Sequence, residues 1–370
     1  MGLAKHDSVR IAIAGVGNCA SSLLQGIDYY RHVPAEQQEA WGLMHLEMGG
    51  YRPADVEVVA AFDIDARKVG RPLHEAAFAA PNCTRAIADR VSELPLKVQM
   101  GPVHDGVASH MRDYPEERSF RVADVTPVNV ARSLEESGAE VLVSYLPVGS
   151  QKAVQSYAEA CLETGVSFVN CVPVFIVSDP QWGERFRQAG IPCAGDDIKS
   201  QVGATILHRQ IVRLFADRGV KVERTYQLNT GGNTDFLNML SRERLASKKI
   251  SKTEAVTSQI PYDIGADNVH IGPSDYVPWQ NDNKVCFLRI EGSGFGGAPI
   301  ELEARLSVQD SPNSAGIVID VVRYVKIARQ RGLAGPLLPI SAYTMKHPPV
   351  QMRDVDAARQ IETFLELGAS

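Results

Sequence analysis

The chain has 370 residues, of which 44% are hydrophobic, which is enough for one large domain or two medium-sized ones with proper cores. Its net charge of −6 is mildly acidic and no basic tail or stripe is present, which argues against nucleic acid as a partner. No apolar run approaches the ~18 residues needed to span a bilayer, so no membrane segment is expected.

The first half of the chain alternates strands with helices. The opening residues lack the apolar core of a signal peptide, so we expect a short tail and a cytoplasmic protein. Apolar, β-branched runs predict strands at 9–14, 56–62, 141–145, 166–169 and 191–194. Helices are predicted at 19–30, from 150 and at 179–188, while the polar segment 32–51 is interpreted as an insertion without an assigned function. This alternation predicts a Rossmann-type, doubly wound parallel sheet, an α/β fold.

The pattern changes after about residue 200. A helix is predicted at 204–217, followed by strands at 225–228, 284–292 and 300–308 in which polar and apolar residues alternate. Such alternation is typical of an antiparallel sheet with one wet face. Further helices are predicted at 315–331 and from 354. We expect residues 1–200, completed by 311–370, to form the first domain and residues 201–310 a second, α+β domain.

The cysteines and histidines carry no recognisable site. The six cysteines are scattered and form no Cys-x-x-Cys pair, and the nine histidines show no ligand spacing. This pattern favours reduced, packed thiols over a disulfide framework or a structural zinc site.

A Gly-x-Gly-x-x-Ala turn follows the first predicted strand. Gly15 permits the tight turn, Gly17 lets a pyrophosphate approach the backbone, and Ala20 allows close packing of helix on strand. The following helix directs free N–H groups and its positive dipole end at the phosphates. The strand before and the helix after the turn favour a dinucleotide site over a turn that serves packing alone.

Two further segments belong to this predicted site. Asp63 ends the second strand, where an acid accepts hydrogen bonds from the adenosine ribose and disfavours a 2′-phosphate, which indicates NAD; Asp65 is the rival acid. Ser144, Leu146 and Pro147 follow the strand at 141–145, where ligands bind in such sheets. The alternative is that Pro147 and Gly149 only end the strand.

Three stretches of the second half combine lysines with aspartates. GDDIKSQVGAT closes a strand with two carboxylates, of which Asp197 is predicted to face the crevice; the alternative is a helix N-cap. In GGNTDFLNMLSRERLASKKISK, Lys248 and Lys252 share a helical face and repel by ~0.2–0.5 kcal/mol unless an anion or acid lies between them. Lys284, Asp310 and Lys346 complete the set. Such lysines suit a phosphorylated substrate on which oxyanion charge develops, or form a solvated basic surface.

Together these segments resemble the myo-inositol-1-phosphate synthase family, in the shorter form of actinobacteria and archaea. The resemblance covers about 9–348 and rests on these motifs: GVGNCASSL, VSYLPVGS, GDDIKSQVGAT, NTDFLNML…SKKISK, DSPNSAG and SAYTMKHPP. The glycine turn is shared with many dehydrogenases, whereas the lysine-bearing run with GDDIKS is far more specific.

The resemblance implies an NAD-dependent isomerase acting on D-glucose 6-phosphate. In that family, NAD⁺ takes hydride from C5 of the open-chain sugar, a base removes a C6 proton, and the enolate attacks the C1 aldehyde. NADH then returns the hydride, giving 1L-myo-inositol 1-phosphate without net consumption of NAD. The alternatives are a conventional NAD-dependent oxidoreductase on a phosphorylated or acidic metabolite, and a non-catalytic NAD-binding protein.

The resemblance also implies roles for individual residues. The catalytic set is Lys248, Lys252, Lys284, Lys346, Asp197, Asp235 and Asp310. The cofactor-binding set is Gly15, Gly17, Asn18, Cys19, Ala20, Asp63, Ser144, Leu146, Pro147, Asp197, Asp310 and Ser311. The substrate-binding set is Ser200, Gln201, Asn233, Lys252 and Lys284.

The chain departs from the family pattern at one place, and the resemblance implies two further properties. The longer eukaryotic members carry Gly-Gln-Thr after the Lys-Ser pair, where this chain has the residues 201–205, QVGAT, which affects the phosphate contacts. A monovalent or divalent cation near the substrate is left open, with no metal ligands assigned. The family forms homotetramers through the second domain, and we expect the same here.

Overall fold

The protein is built on two β-sheets, and a computed structural model describes residues 8–87 and 91–367. The strands are β1 (Val9–Ala14), β2 (Val56–Asp63), β3 (Gln99–Met100), β4 (Val141–Ser144), β5 (Ser167–Asn170), β6 (Pro192–Ala194), β7 (Lys221–Gly231), β8 (Val269–Tyr276), β9 (Asn283–Ser293), β10 (Pro299–Gln309) and β11 (Gly335–Pro336). The helices are α1 (Asn18–His32), α2 (Leu73–Ala76), α3 (Val130–Ser137), α4 (Gln151–Thr164), α5 (Pro180–Gln188), α6 (Ala204–Asp217), α7 (Thr234–Asn238), α8 (Ala246–Thr257), α9 (Asp310–Gln330), α10 (Leu338–Thr344) and α11 (Asp354–Glu366).

The first sheet is parallel throughout and has the strand order β11-β6-β5-β4-β1-β2-β3. On β1, Ile11 and Ile13 pack with α1 and α9, whereas Ala12 and Ala14 pack with α3 and α4. Helices therefore cover both faces, which confirms the predicted doubly wound fold. Because β2 and β4 flank β1 on opposite sides, the strand order reverses beside β1, where such sheets bind ligands.

The second sheet has the strand order β10-β9-β7-β8 and differs from the prediction in two respects. β9 is antiparallel to both β7 and β10, but β7 and β8 are parallel, so the sheet is mixed rather than wholly antiparallel. Helices α7 and α8 lie between β7 and β8 and make the crossover that a parallel pair requires. β8 was missed because it contains Gly272 and Pro273, which are rare in strands.

The polar segment 32–51 is anchored to α9 by two buried charges. Asp320 and Arg323 are both fully buried and form an ion pair of 2.6 Å. Asp320 accepts a hydrogen bond from the Met44 amide at 2.7 Å, and Arg323 donates to the carbonyls of His45 and Tyr51. The ion pair thus provides hydrogen-bond partners for backbone groups of the insertion that are removed from water. This fixes the segment to α9 and gives it a structural role.

The chain between α10 and α11 returns to the end of β6. Ile198 and Met345 form an antiparallel bridge, and the Lys346 amide donates to the Asp197 carbonyl at 2.7 Å. This pairing joins segments almost 150 residues apart in sequence and places the side chains of Asp197 and Lys346 side by side.

Among the described residues, no helix is long and apolar enough to cross a bilayer.

Candidate functional site

A large cavity lies at the carboxyl end of the first sheet and extends to the second. Its lining includes the glycine turn and cofactor residues predicted from the sequence, together with all four predicted lysines: Gly15, Gly17, Asn18, Cys19, Asp63, Leu146, Pro147, Ser311, Lys248, Lys252, Lys284 and Lys346. Asp197, Ser200, Asn233, Asp235 and Asp310 also line it. The folded chain therefore brings the dinucleotide motif and the lysine–aspartate set to one cavity.

The glycine turn presents bare backbone to this cavity. Gly15 has φ of +96°, and a Cβ there would lie 2.9 Å from the Tyr145 carbonyl oxygen. At Gly17 a Cβ would meet no protein atom within 4 Å, and no side chain caps the α1 N-terminus. The first turn of α1 also lacks an acid. These features fit the phosphates of a dinucleotide, since the helix directs uncapped N–H groups and the positive end of its dipole at the cavity.

The two rival acids at the end of β2 have different partners. Asp63 accepts hydrogen bonds from the amides of Val16 at 2.7 Å, Ile64 at 2.7 Å and Asp65 at 2.8 Å, which ties the glycine turn to β2. Asp65 is 1% exposed and pairs with the Arg67 guanidinium at 2.6 Å. Both acids line the cavity, but the Asp65 charge is compensated within the protein.

Asp197 is the centre of the lysine cluster. Its Oδ1 lies 3.1 Å from Lys248 Nζ and 2.9 Å from Lys346 Nζ, and its Oδ2 accepts a hydrogen bond from the Ser251 hydroxyl. The residue is 1% exposed and has φ of +61°, a left-handed conformation that Asp and Asn tolerate better than most residues. Lys248 and Ser251 come from one face of α8, so a single carboxylate joins that helix to the segment bearing Lys346.

The charges in this cluster determine the protonation of its members. Burial opposes the charge of Asp197, but attraction by Lys248 and Lys346 outweighs it and holds the pKa of the carboxyl well below its usual range. Burial likewise acts against the Lys248 ammonium, yet Asp197 and Asp235 raise its pKa above the ordinary value. Asp197 and Lys248 are therefore ionised at neutral pH.

Lys252 and Lys346 have lowered proton affinities. Burial, followed by repulsion from Lys248 and Lys284, lowers the pKa of Lys252 to about 7. Burial lowers the pKa of Lys346 to about 8, although Asp197 opposes the shift. The Lys252 ammonium is only 3.3 Å from the Ser274 hydroxyl, a neutral partner. An anion in the cavity would supply the missing negative charge.

A second acidic group stands beside Lys284. The Lys284 ammonium lies 3.3 Å from Asp310 Oδ1. Asp282, which is 2% exposed, accepts hydrogen bonds from the Asn233 amide at 2.8 Å and the Ser311 hydroxyl at 2.8 Å. Burial raises the pKa of Asp282, and nearby Asp310 adds to the shift. Asp282 thus fixes two residues predicted to contact cofactor and substrate.

The two adjacent carboxylates of GDDIKS have separate tasks. Asp196 is fully buried and accepts hydrogen bonds from Asn170 and from the amides of Ile176 and Ser178, so it shapes the segment after β5. Asp197 points into the lysine cluster instead. Neither caps a helix, because α6 begins only at Ala204 with Gly203 at its N-cap. The N-cap alternative is therefore wrong.

Three residues of the predicted site do not line the cavity: Ala20, Ser144 and Gln201. Ala20 packs in the core between β1 and α9, and Ser144 is fully buried at the end of β4. The side-chain amide of Gln201 packs tightly against two glycines. A Cβ built on Gly42 would lie 2.6 Å from Gln201 Nε2, and one built on Gly316 would lie 2.3 Å from it.

Several polar residues of this region were missed by sequence reasoning: Lys68, Lys199, Gln227, Ser251, Ser274 and Asp282. Lys68 is 3% exposed and donates to the Val16 carbonyl at 2.7 Å, so it supports the glycine turn. Two of them carried a signal in the sequence: Ser251 lies three residues after Lys248 on the predicted helical face, and Lys199 lies two residues after Asp197. The remaining four are brought to the site by contacts between segments that are distant in sequence. Within the described residues, no group of three or more His, Cys, Asp or Glu side chains is arranged to hold a metal ion.

These features define the class of protein: a Rossmann-type α/β protein with a mixed second sheet and a cavity that joins a glycine turn to buried lysines. A family model described as myo-inositol-1-phosphate synthase matches residues 203–311. The inositol-3-phosphate synthase of Mycobacterium tuberculosis (strain CDC 1551 / Oshkosh) is 53% identical over 357 residues, covering 96% of this chain and 95% of that protein. The chain belongs to the myo-inositol-1-phosphate synthase family.

Two further proteins extend this similarity. The inositol-3-phosphate synthase of Corynebacterium glutamicum is 53% identical over 364 residues, 97% of this chain and 98% of that protein. A crystal structure of a myo-inositol-1-phosphate synthase-related protein from Thermotoga maritima superposes with a TM-score of 0.80 at 24% identity, covering 97% of this chain and 98% of that one. That structure supports the fold.

Proposed function

We propose that this protein converts D-glucose 6-phosphate to 1L-myo-inositol 1-phosphate with NAD as a recycled cofactor. The observation that carries the proposal is the buried Asp197 carboxylate between Lys248 and Lys346, in the same cavity as the glycine turn. A simple hydride transfer needs no such cluster, whereas enolisation and ring closure develop negative charge on two different oxygens. Family membership supports the same activity.

The cofactor residues bind and orient NAD in this proposal. The uncapped N-terminus of α1 and Gly17, which has no side chain, would hold the pyrophosphate. Asp63 fixes the glycine turn through the Val16 amide and would lie near the adenosine ribose. When held there, NAD would supply the reversible hydride transfer that the reaction needs at C5 of the sugar. Ser311 is held by Asp282 and contacts Cys19 of the glycine turn, while the neighbouring Asp310 pairs with Lys284.

The lysines act on the sugar. Lys248, held protonated by Asp197 and Asp235, stabilises the negative charge that forms on the C5 oxygen when a base takes up the C6 proton. Lys284 and Lys346 stabilise charge at C5 and C1 during the aldol closure. Lys252, with Ser200 and Asn233, contacts the phosphate, which anchors the chain remote from the reacting atoms and holds C6 near C1. Asp310 would provide a carboxylate for a cation bound beside the phosphate.

The assembly and location proposed for the protein follow the family. The second sheet exposes apolar side chains on its outer face, with Leu228 44% and Phe287 42% exposed on paired strands. This face suits a homotetramer formed through residues 201–310, the region that also carries Lys248 and Lys252. All six cysteines are free thiols, which supports a cytoplasmic location.

The decisive test of the function is its stoichiometry. Purified protein incubated with glucose 6-phosphate and catalytic NAD⁺ is expected to form inositol phosphate, detected by ³¹P NMR, while absorbance at 340 nm returns to baseline. Recycling predicts more product than NAD⁺ present. Steady NADH accumulation without inositol phosphate would instead establish the conventional oxidoreductase.

Substrate binding is expected to take up protons at pH 8. In the free protein Lys252 has a pKa of about 7 and is mostly neutral at that pH, and a bound phosphate raises its proton affinity. Calorimetric titration with glucose 6-phosphate in buffers of different ionisation enthalpy measures this uptake. At pH 6 the ammonium is already formed, so its share of the uptake disappears. The Lys252→Met variant should take up fewer protons than the wild type at pH 8; equal uptake would contradict the assigned phosphate contact.

A further inference from the structure

Lys199 is a buried lysine that the proposed mechanism does not use. It lies two residues after Asp197, is 1% exposed and does not line the cavity. Its ammonium donates to the Ala342 carbonyl at 2.7 Å and lies 3.1 Å from Asp354 Oδ1. With its charge directed away from substrate, Lys199 connects the Asp197 segment to the first residue of α11.

The second oxygen of Asp354 joins further elements. Asp354 Oδ2 lies 3.0 Å from Arg209 Nε and accepts a hydrogen bond from Gln210, both on α6. Arg209 is fully buried and donates at 3.2 Å to the carbonyl of Ala255, which lies on α8 with the catalytic lysines. One carboxylate therefore connects the Asp197 segment, α6 and, through Arg209, α8.

Positive charge exceeds negative charge around the Asp354 carboxylate. Two buried cations, Lys199 and Arg209, face Asp354, and Lys346 adds a third positive charge nearby. Burial and then Arg209 lower the pKa of Lys199 to about 7, while Asp354 opposes the shift. Without Asp354, nothing in the described surroundings that carries a negative charge pairs directly with Lys199 or Arg209. A buried charge that loses its partner must move or change protonation.

We propose that Asp354 is a positioning residue for catalysis, which holds Asp197, Lys346 and α8 in their working arrangement through Lys199 and Arg209. The C-terminal helix is then part of the active site although it contributes no cavity-lining side chain. This inference rests on the proposed function, since it assigns Asp354 a role in that reaction.

The test compares Asp354→Asn with Asp356→Asn, a matched change on the same helix at a side chain that is 32% exposed and paired with Arg353. We expect Asp354→Asn to lower kcat for inositol phosphate by about tenfold or more, because small displacements of catalytic groups are costly. The KM for NAD⁺ should change little, and Asp356→Asn should resemble the wild type.

The pH profile separates this role from a merely structural one. Lys346 is faced by Asp197, Lys248, Lys284 and Lys199. Loss of the Asp354 negative charge leaves the Arg209 charge uncompensated, whereas Lys199, whose pKa Asp354 raises, becomes neutral. The remaining positive charge lowers the proton affinity of Lys346, so the alkaline limb of kcat should move to lower pH in Asp354→Asn. The Arg209→Met/Asp354→Asn variant removes the remaining cation together with the carboxylate, and should recover most of the activity and the wild-type alkaline limb.

Three results would overturn the proposal. The first is Asp354→Asn activity equal to that of Asp356→Asn. The second is a folded double variant no better than the single one. The third is loss of folding, monitored by circular dichroism, in the single and double variants alike, because the carboxylate would then be needed for folding itself. Inactivity of the wild type on glucose 6-phosphate would refute the proposed function instead, so the two failures are distinguishable.

Discussion

The Asp197→Asn variant is expected to lose about 1000-fold in kcat, because a neutral amide leaves the Lys248 and Lys346 charges uncompensated in a buried site. The lysines then separate or release a proton, and the positive charge beside the reacting oxygens is lost. Asparagine is the informative replacement, since it preserves the shape of the side chain and tolerates the φ of +61° at this position. Turnover is measured as inositol phosphate formed per enzyme under saturating substrate.

The same variant has a pH signature in its stability. The native pKa of Asp197 is depressed, so its ionised form stabilises the fold above the unfolded value of about 3.9, and this contribution is lost as pH falls through the native pKa. The difference in unfolding free energy between wild type and Asp197→Asn should therefore be largest near neutral pH and shrink in acid.

A surface substitution provides the control for Asp197. Asp113→Asn removes a carboxylate that is 71% exposed and 4.0 Å from Arg112, so activity and stability should stay close to those of the wild type. Full turnover by Asp197→Asn, or a stability difference that grows in acid, would contradict the arrangement of charges described above.

The Lys248→Ala variant is expected to lose about 100- to 1000-fold in kcat, the range found when one preorganised oxyanion donor is removed. Lys248 is held protonated by Asp197 and Asp235, so its charge is available throughout the neutral range. Affinity for NAD⁺, followed by quenching of tryptophan fluorescence, should change little because the glycine turn and Asp63 remain. The result expected is therefore a catalytic defect with an intact cofactor site.

Lys249→Ala is the matched control on the same helix. Lys249 is exposed, whereas the Lys248 side chain is only 14% exposed. We expect Lys249→Ala to keep wild-type turnover, since adjacent helical residues point in different directions. If the two variants behaved alike, the activity would depend on the helix as a whole and the role assigned to Lys248 would be wrong.

Five of the seven strands of the first sheet were predictable because their information is local, whereas the two-residue strands β3 and β11 were missed. Apolar runs such as 9–14 and 56–62 alternate with helical segments, and the glycine turn follows its strand directly. The second sheet was harder, since the pairing of β7 with β8 depends on a crossover through α8 that no short pattern encodes. Gly272 and Pro273 further concealed β8 because strand propensity yields to tertiary context.

The candidate site shows the same division. The residue types at Lys248, Lys252 and Lys346 were visible in the sequence, and α8 explains why the first two share a face. The adjacent acids Asp196 and Asp197 looked equivalent, yet one is bound by backbone amides and the other by lysines. Their difference is one of backbone direction, which sequence spacing does not reveal.

The sequence by itself determined the strand–helix alternation, the glycine turn and the set of lysines and aspartates that resembles the family. Only the tertiary structure decided which of these charges meet. Asp197 meets Lys346 because the chain after α10 pairs with the end of β6, and it meets Lys248 because α8 packs beside that pair. The physical reason is that electrostatic coupling depends on distance and burial, and both are set by contacts between segments 50 to 150 residues apart.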